Sequence, residues 1–418
     1  MNKYAFSKVG MALLFSILSV MSPNGGFAAF SMSKPNQAQG KSIAPVDSKL
    51  IAANTHFSFK LFAQLVKQDD GKNIFVSPSS VALALAMIYN GASGETQQAM
   101  AKALEVSGMS LPDLNRANAA LQAMLASSDP KVQLSIANSL WARKGVTFKP
   151  EFIKRTQDFY AAEISDLDFT LPGAPATINK WVSQKTNGKI DEIVETIPND
   201  AILYLINAIY FKGTWMQQFD KSKTKEGRFT LLNGAKKRHP LMSQTGRYRY
   251  LENGEFQAIS LPYGGNMSMY VFLPGKNSSL NTFLANLSAA KWAGWMTQLR
   301  SQEGNITLPR FKLEYEVVLN NTLKSLGMES AFDPQRANFR EMCAASPSAN
   351  VFIGEVKHKT FVEVNEEGTE AAAVTSGGMR ATAYIPPFNM VVDRPFFCAI
   401  RDNQTGTILF MGSIVEPK

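Results

Sequence analysis

Apolar and polar positions recur at helical spacing over residues 49–68, which predicts an amphipathic helix at the start of the globular part. A second helix is announced by Ser77-Pro78-Ser79-Ser80, hydroxyls beside a proline, leading into the run 81–89. That run is apolar nearly all round, so it must pass through the middle of the molecule. Ala92-Ser93-Gly94-Glu95-Thr96 ends it and opens the next. Helical patterning continues to about residue 165, broken by an expected strand at 132–142, and 178–193 reads as another helix. From Leu203 onward β signals dominate. Strands are expected at 203–211, 257–261, 267–273, 306–311, 359–365 and 396–401, with helical insertions at 279–298 and 316–327. No linker or internal repeat interrupts 48–417. Helices first and strands later, in one uninterrupted globule, predict a mixed α+β single domain over 48–418.

The first 28 residues read as a secretion signal. Lys3 and Lys8 supply positive charge, the apolar run 9–21 is too short to span a bilayer, and Gly26-Phe27-Ala28 suits a signal peptidase. The expectation is cleavage after Ala28, with Ala29 as the next choice, and a secreted protein, extracellular or periplasmic, with no membrane association after signal removal; the alternative is an N-terminal anchor. Residues 29–47, rich in Ser, Lys, Pro, Gln and Gly, predict a mobile mature N-terminus.

The formal net charge is +9, from 43 basic and 34 acidic residues, and part of the excess sits in the leader. The rest is scattered apart from Lys236-Lys237-Arg238, read as a solvated turn, with a polyanion or partner patch as the alternative. Nothing here calls for nucleic acid. The two cysteines, Cys343 and Cys398, have apolar or small neighbours and read as buried free thiols rather than a bridge. Three histidines, His56, His239 and His358, show no metal spacing, and no phosphate loop or nucleophile elbow occurs. No metal, no cofactor and no enzyme is expected.

One stretch stands apart. Glu366-Glu367-Gly368-Thr369-Glu370-Ala371-Ala372-Ala373-Val374-Thr375-Ser376-Gly377-Gly378-Met379-Arg380-Ala381-Thr382-Ala383-Tyr384 follows a β-like run and precedes Ile385-Pro386-Pro387. Small side chains cannot anchor it in a core, so an exposed loop over about 366–387 is expected. Yet it holds no proline from Thr369 to Ile385, and every backbone donor stays available to a ladder. Read with period two, one face carries Thr369, Ala371, Ala373, Thr375, Gly377, Met379 and Ala381, and the other takes both charges, Glu370 and Arg380. A strand slipping between two others needs that division. Fourteen such residues extend ~45 Å at ~3.3 Å each.

The run from Val364 to Ala373 closely resembles the reactive-loop hinge of inhibitory serpins. Similar signatures occur at Asn73-Ile74-Phe75-Val76-Ser77-Pro78-Ser79-Ser80, at Asn207-Ala208-Ile209-Tyr210-Phe211-Lys212-Gly213-Thr214-Trp215, at Ile178-Asn179-Lys180-Trp181-Val182 with Gly188-Lys189-Ile190, at Asp393-Arg394-Pro395-Phe396-Phe397 and at Ile408-Leu409-Phe410-Met411-Gly412. The resemblance covers 48–417. It implies three β-sheets, eight or nine helices, an exposed reactive-centre loop, a metastable native state and a monomer. A serine or cysteine protease would cleave the loop, which then inserts into the central sheet and traps the acyl-enzyme. Carried over by position, Glu366, Gly368, Thr369, Ala371, Ala372 and Ala373 form the hinge. Ser77, Ser80, Asn207 and His358 fall at the shutter beneath the parting strands, and Trp215 falls at the breach. The rival is a non-inhibitory member acting as a binding or chaperone protein, though such members usually have bulky, charged or proline hinges. The family's count of seventeen from Glu366 puts the cleaved bond at Thr382–Ala383, suiting an elastase-like partner. The segment before Asp393 is a residue or two longer than usual, which keeps Arg380–Ala381, suited to a trypsin-like protease, and Tyr384 open.

Overall fold

The computed structural model describes residues 46–126, 131–198, 200–264, 266–343, 350–368 and 386–418. The leader 1–28, most of the segment 29–47, and the loop residues Thr369, Ala371, Ala372, Ala373, Arg380, Ala381, Thr382, Ala383 and Tyr384 lie outside the described residues. The N-terminal part is α1 (Ser48–Gln68), β1 (Ile74–Val76), α2 (Pro78–Tyr89), α3 (Gly94–Ala103), α4 (Leu111–Ala126), β2 (Val132–Arg143), α5 (Pro150–Tyr160), β3 (Glu163–Leu167) and α6 (Ala174–Lys185). There follow β4 (Leu203–Gly213), β5 (Lys225–Thr230), β6 (Lys236–Glu252), β7 (Phe256–Pro262), β8 (Met267–Pro274), α7 (Leu280–Ala285) and α8 (Ala289–Gln298). The chain ends with β9 (Arg300–Pro309), β10 (Phe311–Val318), α9 (Asn320–Leu323), β11 (Ile353–Val364), β12 (Phe388–Val391), β13 (Phe396–Asp402) and β14 (Ile408–Ile414).

One sheet has the order β10-β11-β4-β2-β3, and its central pair, β11 and β4, runs parallel. Both faces of β4 are covered. Tyr204, Ile206, Ala208 and Tyr210 pack toward α6 with Ile178 and Val182, while Leu203, Leu205, Ile209 and Phe211 join the main core. This is why β4 reads as an apolar run from Leu203 to Phe211 that only Asn207 interrupts. The second sheet has the order β1-β14-β13-β8-β7-β6-β9-β12, with β5 on β6. The expected third sheet is fused to it: the seventeen-residue β6 pairs with β5 through 236–241 and with β7 through 249–252. Beneath the first sheet runs α2, every residue buried, as its pattern predicts.

Several local expectations change. The helical patterning said to reach residue 165 ends at Tyr160, where Ala161 takes a left-handed φ of 49°, and 163–167 is an edge strand on β2. The helix expected over 178–193 stops at Lys185, because Asn187 and Gly188 both adopt positive φ. Residues 316–318 finish β10 rather than begin a helix. Lys236-Lys237-Arg238 opens strand β6 and is not a turn. The cysteines do not change: Cys343 and Cys398 are buried free thiols as expected, and burial pushes the Cys343 thiol up to about 12.

Candidate functional site

Two clusters sit on the seam between β4 and β11. The first is buried under the middle of the sheet. Register places His358 of β11 directly beside Asn207 of β4, although 151 residues separate them in sequence. The His358 ring faces Asn207 Oδ1 through Nδ1 at 2.5 Å, and its Nε2 accepts the Ser77 backbone N–H at 3.1 Å. Those two contacts fix the neutral tautomer with hydrogen on Nδ1. The Asn207 amide donates to Ser80 Oγ at 2.6 Å and to Asn138 Oδ1 of β2 at 2.5 Å, and Ser77 Oγ donates to the Leu409 carbonyl at 2.6 Å. Thr360, two residues along β11, donates to the Phe75 carbonyl.

Ser77, Ser80, Asn207 and His358 are all fully buried. Burial drives the His358 pKa down to about 3, with the Asn207 contact opposing weakly. Side-chain hydrogen bonds thus tie the start of α2 to β4, β11 and β14, and Asn207 carries them on to Asn138 of β2. Asn138 and Thr360 belong to this group and were missed in the sequence, where each is one polar residue in an ordinary strand pattern.

The second cluster lies at the end of β11. Asn365–Gly368 is a tight reversal: the Asn365 N–H donates to the Gly368 carbonyl at 2.9 Å, and the Gly368 N–H returns to Asn365 at 3.2 Å. Gly368 has a φ of 116°, and a Cβ there would stand 2.3 Å from the Gly213 carbonyl oxygen, so only glycine fits. The reversed chain bridges antiparallel to Thr214, just past β4. Trp215 stacks on Tyr263 at 4.3 Å, donates from its indole to the Asn365 carbonyl at 2.9 Å, and donates its backbone N–H to the Glu367 carbonyl at 3.1 Å. Glu366 is buried at 2% exposure and takes Arg310 Nε at 2.7 Å and Thr224 Oγ1 at 2.5 Å. Its burial alone would raise the carboxyl pKa, but the bonds from Arg310 and Thr224 outweigh that and hold it low. Lys221 pairs with Glu367. Arg310, Thr224 and Lys221 carry no sequence signal, since each sits beside an unrelated element.

The far end of the loop is bolted down. Phe388 stacks on Tyr250 at 4.0 Å and lies over Gly304, where a Cβ would meet its ring at 2.3 Å. Parallel pairing of β12 with β9 holds it there, and Gln302 reaches the Pro386 carbonyl at 3.2 Å.

Comparison with known proteins agrees with this architecture. The family model described as "Serpin (serine protease inhibitor)" matches residues 52–417. The chain is 35% identical over 382 residues to the leukocyte elastase inhibitor of Homo sapiens, covering 88% of this chain and all of that one. It is 36% identical to Serpin B6 of Macaca fascicularis, covering 88% and 99%. Among solved structures it is similar to the thermophilic serpin tengpin in the native state, at a TM-score of 0.81 and 35% identity over 89% and 95% of the two chains. Native protease nexin-1 with heparin is similar at 0.80 and 28%, over 88% and 100%. Fold, sheet order and relatives agree: the chain belongs to the serpin family.

Proposed function

We propose that this protein inhibits serine endopeptidases as a suicide substrate. The loop would be cleaved near Thr382–Ala383, its hinge arm would enter the seam between β4 and β11, and the protease would stay covalently attached. Loop insertion is what the family resemblance implies; this chain's residues supply the means. The supporting observation is the reversal at Asn365–Gly368, which turns the chain after β11 and pairs it antiparallel past the end of β4. A strand following from that turn would run antiparallel to both neighbours and replace one parallel interface with two antiparallel ones. The shutter roles of Ser77, Ser80, Asn207 and His358, and the breach role of Trp215, belong to the same reading, because their bonds cross the seam that must open.

Relatives named for inhibition of leukocyte elastase favour a small residue at the cleaved bond, which suits Thr382 better than Arg380 or Tyr384. The partner is then an elastase-like protease, met outside the cell or in a periplasm after removal of 1–28. The domain would span 48–418, with 29–47 as a mobile lead and the whole working as a monomer. Mixing with elastase-, trypsin- and chymotrypsin-like enzymes tests this. The expected result is a complex that survives boiling in detergent, and mass spectrometry of the released peptide assigns the bond. Absence of such a complex with all three would favour a binding or chaperone role.

A further inference from the structure

The stretch from Lys221 to Arg238 carries seven basic residues and a single acid, Glu226, in eighteen positions. Lys221 and Lys237 are neutralised by Glu367 and Glu416. Arg228, Lys236 and Arg238 are not: all three are exposed, and among the described residues no ion pair reaches them. The β5–β6 ladder sets Arg228 directly opposite Arg238, and alternation brings Lys236 to the same face. Like charges directly across a strand pair destabilise it. Glu226 shares this face, two residues before Arg228 on β5 and diagonal to Arg238, but among the described residues it makes no ion pair. An anion held between the two guanidiniums would offset the repulsion.

Position matters as much as charge. Just ahead of this hairpin, Lys221 and Thr224 hold Glu367 and Glu366 at one end of the loop. At the end of β5 the Thr230 N–H donates to the Asp393 carbonyl at 2.7 Å, beyond the other end. Both flanks of the loop 369–385 are therefore tied to one basic hairpin. The row of cations is short. After Arg238 the exposed face of β6 continues through Pro240, Ser243 and Thr245 before Arg247, which Glu303 faces at 4.0 Å. A compact cluster of three suits one or two carboxylates better than an extended polyanion.

We propose that Arg228, Lys236 and Arg238 form an auxiliary docking surface that recognises an acidic patch beside the active-site cleft of the target protease. This rests on the inhibitory reading above and names a second contact for it. Opposite charges across an interface act chiefly on association.

The test compares the parent with Arg228→Glu/Lys236→Glu/Arg238→Glu against two proteases of the same cleavage specificity, one acidic beside its cleft and one neutral. With the acidic enzyme at low salt, the variant's association rate constant is expected to fall by about tenfold and lose most of its salt dependence. With the neutral enzyme the two rates should agree, and the yield of covalent complex should be unchanged with both. Arg228→Gln/Arg238→Gln, which removes repulsion without adding acid, should melt no lower than the parent and show an intermediate rate. Equal rates for parent and variants with the acidic enzyme would overturn the docking surface while leaving inhibition standing. If no covalent complex forms at all, inhibition fails and docking is read separately: the acidic protease with its catalytic serine replaced by alanine should bind the parent several-fold tighter than the charge-reversed variant. Equal binding there overturns it, as does a difference seen only with a sulfated polysaccharide.

Discussion

Acidification from pH 7 to pH 5 should weaken the fold by about 2 kcal/mol through His358 alone. The neutral ring donates from Nδ1 to Asn207 and accepts the Ser77 N–H at Nε2. A second proton would have to sit on Nε2, pointing straight at another donor. Among the described residues no charged group is bonded to the ring; its polar partners are Asn207 from β4 and the backbone of Ser77 at the start of α2. Burial therefore holds its pKa at about 3, against 6.5 in the unfolded chain. The unfolded state takes up a proton below 6.5 and the folded state does not until about 3. The contribution is thus fully present above pH 6.5 and is lost as pH falls through the window between those values. At ~1.4 kcal/mol per pH unit, the unit and a half from 6.5 to 5 gives about 2 kcal/mol. With a urea dependence of roughly 3 kcal/mol/M, the midpoint moves by ~0.7 M. The assay is tryptophan fluorescence in urea at both pH values, for the parent and His358→Gln. Any loss from the glutamine itself appears at both pH values and cancels. The parent's midpoint should drop by ~0.7 M more than the variant's; equal drops would refute the buried neutral imidazole.

Three further outcomes follow from the same geometry. Thr369→Arg puts a charge on the small-residue face and should convert inhibitor into substrate, raising the molar ratio needed to silence a protease several-fold; an unchanged ratio would sink the insertion argument. Gly368→Ala drives a methyl into the Gly213 carbonyl at 2.3 Å in a left-handed conformation, so the turn should open at a cost of about 2 kcal/mol, visible as a lower melting temperature; no change would mean that the turn is not held there. Arg310→Met strands the buried Glu366 carboxylate and should cost about 1–2 kcal/mol, reduced from the fully buried case because Arg310 is partly exposed. Adding Glu366→Gln to Arg310→Met should recover much of that loss in a melting comparison.

The fold was most legible where burial is uniform. Helix α2 and strand β4 are covered on all sides, so their apolar runs declare themselves without reference to a partner. Strands β5 and β6 were invisible for the opposite reason. Their outward face mixes Lys and Arg with Glu226, Pro240, Ser243 and Thr245, and the buried alternation of β6 slips phase at Leu241 and Met242, both buried in succession. The end of α6 was overrun because the apolar positions Ile190, Ile193 and Val194 continue past the helix in irregular chain that still packs beneath it. At the site, Gly368 and the small residues after it are readable from composition alone. His358 was placed by the family resemblance alone: its neighbours Lys357 and Lys359 give no sign of burial, which comes from the β11–β4 register that sets it against Asn207. Arg310 is further still from sequence reach, because its partner Glu366 comes 56 residues later.

The anchoring of Phe388 over Gly304 decides what becomes of the two pieces once the chain is cut. From Phe388 on, the chain is woven into the nine-stranded sheet through β12, β13 and β14. The nicked protein should therefore keep its full mass in native sedimentation and release a short C-terminal peptide only when denatured. On the proposed mechanism the severed tail would be retained as scaffold, and the upstream arm alone would be left to travel.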